Sequence, residues 1–167
     1  MLIIAEKMNG LSFRQLMDVY VEGCLERGQE LYPEETAARQ IALGEQEFYH
    51  YLTQVFFRTS GAVYALWSAE EKYVSALRLE PFQDGLLLEA LETAPKERKK
   101  GYAVQLIRAV QAWLAERGHI KVYSHVHKRN IPSLRIHEKC GFHQILEHAV
   151  CIDGSVNHYC CTLCYEG

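Results

Sequence analysis

The sequence predicts a mixed α/β fold, a central twisted sheet of about seven strands flanked by helices on both faces. Three observations predict it. Apolar residues recur at helical spacing through the first sixty residues; from Gly61 the pattern changes to short β-rich runs broken by turns; after residue 100, helix, strand and hairpin patterns follow one another. The expected order is βααβββαβαββ. No repeat, low-complexity segment or linker interrupts it, so residues 1–167 read as one domain.

Met1 to Ala5 is a short apolar run, read as the opening strand. Phe13, Leu16, Met17, Tyr20, Val21 and Cys24 are spaced by three and four, which predicts an amphipathic helix over Phe13 to Arg27 ended by Gly28. Glu34 to Phe57 is helical by propensity, with Gly44 placed to break it. Ala62 to Trp67 and Tyr73 to Leu79 are strand-like around the polar link Ser68 to Lys72, a hairpin. Pro81 to Gly85 reads as a turn and Leu86 to Thr93 as the next strand. Ala103, Leu106, Ile107, Val110, Trp113 and Leu114 form one helical stripe closed by Gly118. Ile120 to Val126 is a strand, and Ser133 to Cys140 a short helix stopped by Gly141. Phe142 to Ile152 and Asn157 to Cys164 flank Asp153-Gly154, a hairpin signal.

Composition narrows the function. Charged residues are 23% and hydrophobic residues 49%, ordinary for a globular chain, and the net charge of -3 gives no reason to expect nucleic acid or an anionic membrane as partner. No apolar run approaches the roughly 20 residues of a spanning helix, and the N-terminus lacks a secretory pattern, so a cytoplasmic protein is expected. In that compartment the six cysteines read as reduced, mostly buried thiols. A zinc site could draw on Cys161-x-x-Cys164 and His125-x-His127. Residues three apart on a strand point to opposite faces, however, which suits a zinc knuckle poorly, and no metal is expected.

Two stretches carry chemistry. Arg98-Lys99-Lys100-Gly101-Tyr102-Ala103 is a basic, glycine-containing turn that opens a helix directly after a strand. Free amides at a helix start, the helix dipole and a glycine that admits close approach together favour phosphate. The second stretch runs from Asn130 to Phe142. Its Asn130 is placed to cap the short helix ahead of Pro132, and Ser133 and His137 share one helical face.

With both stretches, over about Ala62 to Phe142, the chain resembles the GNAT N-acetyltransferases, in which acetyl-CoA donates its acetyl group to an amine. Arg98-x-x-Gly101-x-Ala103 matches the family's (Arg or Gln)-x-x-Gly-x-(Gly or Ala) loop. Asn130, Ser133, His137, Glu138, Lys139, Gly141 and Phe142 match its later element. The resemblance implies that acetyl-CoA is the co-substrate and that Arg98, Lys99, Lys100, Gly101, Tyr102 and Ala103 grip its pyrophosphate. It also implies that Leu91 and Thr93 border the pantetheine arm and that Asn130 and Ser133 approach the coenzyme. Residues 61–142 would be the acetyl-CoA-binding core, 1–60 the acceptor side and 143–167 a C-terminal hairpin.

The chain departs from the family at one informative position. Many members place a tyrosine there as general acid for the coenzyme thiolate; here it is His137. Histidine can serve that role near neutral pH, and it can equally be a packing residue. Glu89, Leu91 and Thr93 alternate along one strand and are expected on one face, with Glu89 deeper, where it would take the proton of the acceptor amine. Glu92 points the other way, and a bulge would exchange the two glutamates. An N-acetyltransferase acting by direct transfer in a ternary complex is therefore the leading reading, and a non-catalytic acyl-CoA sensor the alternative. The acceptor is open among small-molecule and peptide amines. A homodimer is expected through the apolar C-terminal strand, Tyr159 to Tyr165, taken as an uncovered edge.

Overall fold

The computed structural model describes residues 1–118 and 121–167. Its main elements are β1 (Leu2–Ala5), α1 (Phe13–Val19), α2 (Val21–Leu31), α3 (Ala37–Gln54), β2 (Val63–Ala69), β3 (Lys72–Phe82), β4 (Gly85–Thr93), α4 (Tyr102–Ala115), β5 (Lys121–His127), α5 (Ile131–Lys139), β6 (His143–Leu146), β7 (Ala149–Val150), β8 (Val156–Asn157) and β9 (Cys160–Glu166). The expected mixed α/β class is the one observed. Seven strands form a sheet in the order β1-β2-β3-β4-β5-β9-β6, and β7 with β8 make a small separate ribbon at the hairpin tip. Within that sheet β4 and β5 are a parallel pair, joined only over Leu86–Leu88 and Val122–Ser124. Beyond Leu88 the two strands part, and the gap they leave positions the site.

Helices cover both faces. On one, Leu106, Ile107, Val110 and Leu114 of α4 pack on Leu77, Leu79, Leu86, Leu88 and Val122. On the other, α1 to α3 supply Leu16, Met17 and Leu52, which pack with Phe56 on Tyr64, Leu66 and Ala76. Each such buried aliphatic side chain contributes about 1.5–3 kcal/mol relative to exposure.

The structure corrects several boundaries. The first predicted helix is two, α1 and α2, divided at Tyr20 (φ -98, ψ 17). Gly28 does not end α2 and Gly44 does not break α3. Both are contact points between these helices: a Cβ on Gly28 would lie 2.0 Å from the Gln40 carbonyl oxygen, and one on Gly44 2.0 Å from that of Cys24. Strand β3 runs on through Pro81 to Phe82, so the turn is shorter than expected. The start of the fifth predicted strand, Ile120, lies outside the described residues. The C-terminal strand is not an edge: β9 pairs with β5 on one side and β6 on the other. The exposed edge beyond it is β6.

Candidate active site

A bulge in β4 organises the site. Arg78 faces Glu89 and Ala76 faces Glu92, so Ala90 and Leu91 together oppose the single residue Leu77. Ala90 takes φ +48, a left-handed conformation that costs a non-glycine residue roughly 1–2 kcal/mol. The Tyr20 hydroxyl offsets part of this by donating to the Ala90 carbonyl at 2.6 Å. The inserted residue reverses the alternation. Glu89, Leu91 and Thr93 therefore do not share a face, contrary to the simple period-two expectation. Leu91 packs into the core under α4, and the Thr93 hydroxyl lies 3.1 Å from that of Ser75. Glu89 is on the opposite face, toward α2 and α3, and Glu92 joins it there.

Two cavities meet at this bulge. The larger, about 650 Å³, lies between the sheet and α2 and α3, lined by Tyr20, Cys24, Phe48, Tyr51 and Arg78 among others. The smaller, about 160 Å³, occupies the gap between β4 and β5, where Leu91, His125, Asn130, Ser133 and His137 line it. Glu89 and Ala90 line both.

Helix α5 builds one wall of the gap. The Asn130 side chain caps it, accepting from the Ser133 amide at 3.2 Å, as expected. One turn on, His137 is 1% exposed, with Nδ1 2.8 Å from the Ser133 carbonyl oxygen and its ring edge-on to Phe142. Its Nε2 is buried without a hydrogen-bond partner. Burial lowers the His137 pKa, opposed by the bond to Ser133.

The turn before α4 has the predicted form. Gly101 is its cap at φ +83, where a Cβ would meet nothing nearer than the Gln105 side-chain nitrogen at 3.8 Å. Lys99 also takes a positive φ, +64, and the first amides of α4, from Tyr102 on, have no carbonyl ahead of them to bond. The Arg98 side chain folds back, bonding Glu22 of α2 at 2.5 Å and the Thr93 carbonyl at 3.3 Å, while Lys100 pairs with Glu97 at 2.7 Å.

Around Glu89 the structure gathers residues that sequence reasoning passed over. Arg78 approaches it at 3.7 Å. Glu80, 7% exposed on the same strand, has its pKa raised by burial and then by the charge of Glu89. His125, which the sequence offered with His127 as a candidate zinc ligand, has a buried Nε2 without a partner, and burial lowers its pKa. Two charged residues alternating with Leu77 and Leu79 in an otherwise buried strand were the available signal. The Cys24 thiol in the larger cavity is pushed up to about 11 by burial, so it stays protonated. Cys161 and Cys164 pack in different clusters, and among the described residues no three His, Cys, Asp or Glu side chains are grouped to hold a metal.

With this geometry in place, comparison with known proteins settles the family. The family model described as acetyltransferase (GNAT) family matches residues 25–142. The chain belongs to the GNAT acetyltransferases. Solved GNAT relatives share its fold at low identity. PaiA N-acetyltransferase from Thermoplasma acidophilum, in complex with coenzyme A, superposes with a TM-score of 0.64 at 14% identity, over 100% of this chain and 99% of that one. The ribosomal-protein-S18-alanine N-acetyltransferase of Escherichia coli gives 0.61 at 13%, over 99% and 94%. A GNAT family acetyltransferase from Elizabethkingia anophelis with acetyl-CoA bound gives 0.54 at 15%, over 65% and 78%. No curated protein sequence matches this GNAT chain.

Proposed function

We propose that this acetyltransferase moves the acetyl group of acetyl-CoA directly to a primary amine while both are bound. The observation that carries the reading is the junction of the two cavities at Glu89 and Ala90. A narrow gap walled by α5 meets a roomy, aromatic chamber at one carboxylate, as a two-substrate transfer needs. The coenzyme complexes of the Thermoplasma and Elizabethkingia proteins support the choice of co-substrate.

The residues fit the coenzyme. The turn over Arg98, Lys99, Lys100, Gly101, Tyr102 and Ala103 offers unbonded amides at a helix start, with no Cβ at Gly101 in their way. Leu91 and Thr93 of β4 would border the pantetheine arm, and Asn130 and Ser133 its sulfur end. Bound there, acetyl-CoA supplies a thioester whose acetyl group passes to the amine nitrogen as the thiol is released. Glu89 takes the proton of the acceptor amine, directly or through water, freeing the nitrogen lone pair. His137, which lines the gap, gives the departing sulfur a proton from Nε2, the ring nitrogen left without a partner. The protonated Cys24 has no part in the transfer.

In this reading the acceptor is a small-molecule or peptide amine, shaped by residues 1–60, and neither nucleic acid nor membrane enters it. No described helix is long and apolar enough to cross a membrane. We also propose a cytoplasmic location and a homodimer, for which β6 rather than the C-terminal strand would be the pairing edge. The test is calorimetry with CoA, followed by release of free thiol from acetyl-CoA across a panel of amines. Binding with amine-dependent thiol release is expected. Binding without transfer to any amine would favour the sensor, and no CoA binding would reject both.

A further inference from the structure

Resting on that acetyl-transfer reading, we propose that the acceptor is a free α-amino acid with an apolar or aromatic side chain, its carboxylate held by Arg78 while its amine meets Glu89.

The argument begins with an unsatisfied guanidinium. The Arg78 side chain is only 15% exposed, lines the larger cavity and has no hydrogen-bond partner among the described residues. Glu89 stands at 3.7 Å, beyond hydrogen-bond reach, and the buried Nε has no partner at all. The rings of Tyr51 and Phe56 lie 4.9 and 5.6 Å from the guanidinium carbon and hold its plane. The fully buried Tyr64 hydroxyl close by is likewise unpartnered. A structural ion pair would close to bonding distance. This arginine instead keeps its guanidinium fixed and without a hydrogen bond in the lining of a cavity, the arrangement that recognises a carboxylate through two parallel bonds.

Charge then selects the ligand. Arg78 and Arg27 share the cavity lining with Glu89 and Glu47, and Glu80 lies against Glu89, so a dianion such as a phosphate group would meet carboxylates as well as guanidinium groups. A zwitterion fits: its carboxylate meets Arg78 and its ammonium, one carbon away, meets the carboxylate 3.7 Å from that guanidinium. Glu89 also lines the gap between β4 and β5, so an amine held there stands at the mouth of the coenzyme's cavity. Tyr20, Phe48, Tyr51 and Val55 also line the cavity, beside the polar Arg27, Glu47 and His50, and suit an apolar side chain.

Matched substrates test this without altering the protein: phenylalanine against phenethylamine, and methionine against 3-(methylthio)propylamine, with thiol release from acetyl-CoA as readout. The amino acids are expected to exceed their decarboxylated partners in kcat/KM by roughly 10- to 1,000-fold. Arg78→Met should erase the preference by raising KM for the amino acid, and Arg78→Lys should restore only part of it. Equal or better use of the decarboxylated amines overturns the proposal, as does a preference that survives Arg78→Met. CoA binding with no transfer to any amino acid also overturns it. No CoA binding and no transfer to any amine would instead bring down the acetyl-transfer reading, and this proposal with it.

Discussion

Nδ1 of His137 lies 2.8 Å from the backbone carbonyl oxygen of Ser133, one helical turn earlier. A carbonyl can only accept, so Nδ1 carries the proton and the buried Nε2 presents a lone pair. To act as an acid, His137 must take a second proton at Nε2, which burial disfavours.

The pH profile should show this. Acid assistance is present below the folded pKa of His137, which lies under the ordinary value of about 6.5, and fades as pH rises through it. Turnover should therefore fall on that limb, against the rising limb of amine deprotonation. His137→Phe should remove the falling limb and lower turnover by roughly ten- to a thousandfold, with CoA affinity little changed. A variant with the wild-type rate and profile would make His137 a packing partner of Phe142.

The same shift acts on stability. A histidine whose folded pKa is depressed binds its proton more readily when unfolded, so stability is full above the unfolded value, about 6.5, and is lost as pH falls below it. His125 is shifted the same way and adds to the slope. Urea unfolding at pH 7.5 and pH 5 should show the wild type weakening more than His137→Phe. Equal losses would mean that the imidazole is not held neutral.

Gly101→Val should abolish CoA binding without unfolding the chain. The position has room for a Cβ but sits at φ +83, so the cost is conformational, about 1–2 kcal/mol, and the branched side chain would stand beside the free amides of α4. Calorimetry with CoA and circular dichroism check the two halves. Unchanged affinity would detach the turn from the coenzyme.

Gly28 and Gly44 set how closely α2 and α3 approach, and hence the larger cavity. A methyl group at either would overlap a facing backbone carbonyl, which cannot move aside as a side chain end could. Gly28→Ala and Gly44→Ala should each cost about 1–3 kcal/mol in denaturant unfolding. Losses near zero would show that the helices part freely.

These glycines also mark where the sequence stops being legible. The strand and helix patterns, the Asn130 cap and the Gly101 turn all rest on local chemistry, which the residues display. Glycines at Gly28 and Gly44 read locally as a stop and a break, because the partner backbone they admit is distant in sequence. The bulge at Ala90 leaves no local sign either: it is held by Tyr20, seventy residues away, through a bond to a backbone carbonyl. Arg78 was hidden by its strand, whose alternation assigns a face but not a cavity. Strand β9 looked like an edge because its apolar residues do not reveal that β6 covers it.

The last prediction concerns the proton of the acceptor. With Glu89 in place, the amine can arrive protonated and lose its proton at the site. In Glu89→Gln that route closes, and the enzyme must capture the small fraction already neutral in solution. The rate should fall by roughly a hundredfold or more near pH 7 and then climb with pH toward the amine's own pKa, regaining part of the loss. Glu80→Gln should do less: it leaves Glu89 to accept the proton and removes only a neighbouring carboxyl group. Glu92→Gln separates the other glutamate brought to this face by the bulge, and since that group is tied to the Arg98 side chain, its loss should touch coenzyme affinity before turnover. If Glu89→Gln keeps within about threefold of wild type at every pH, the deprotonation does not pass through this carboxylate, and Glu92 or a water takes its place.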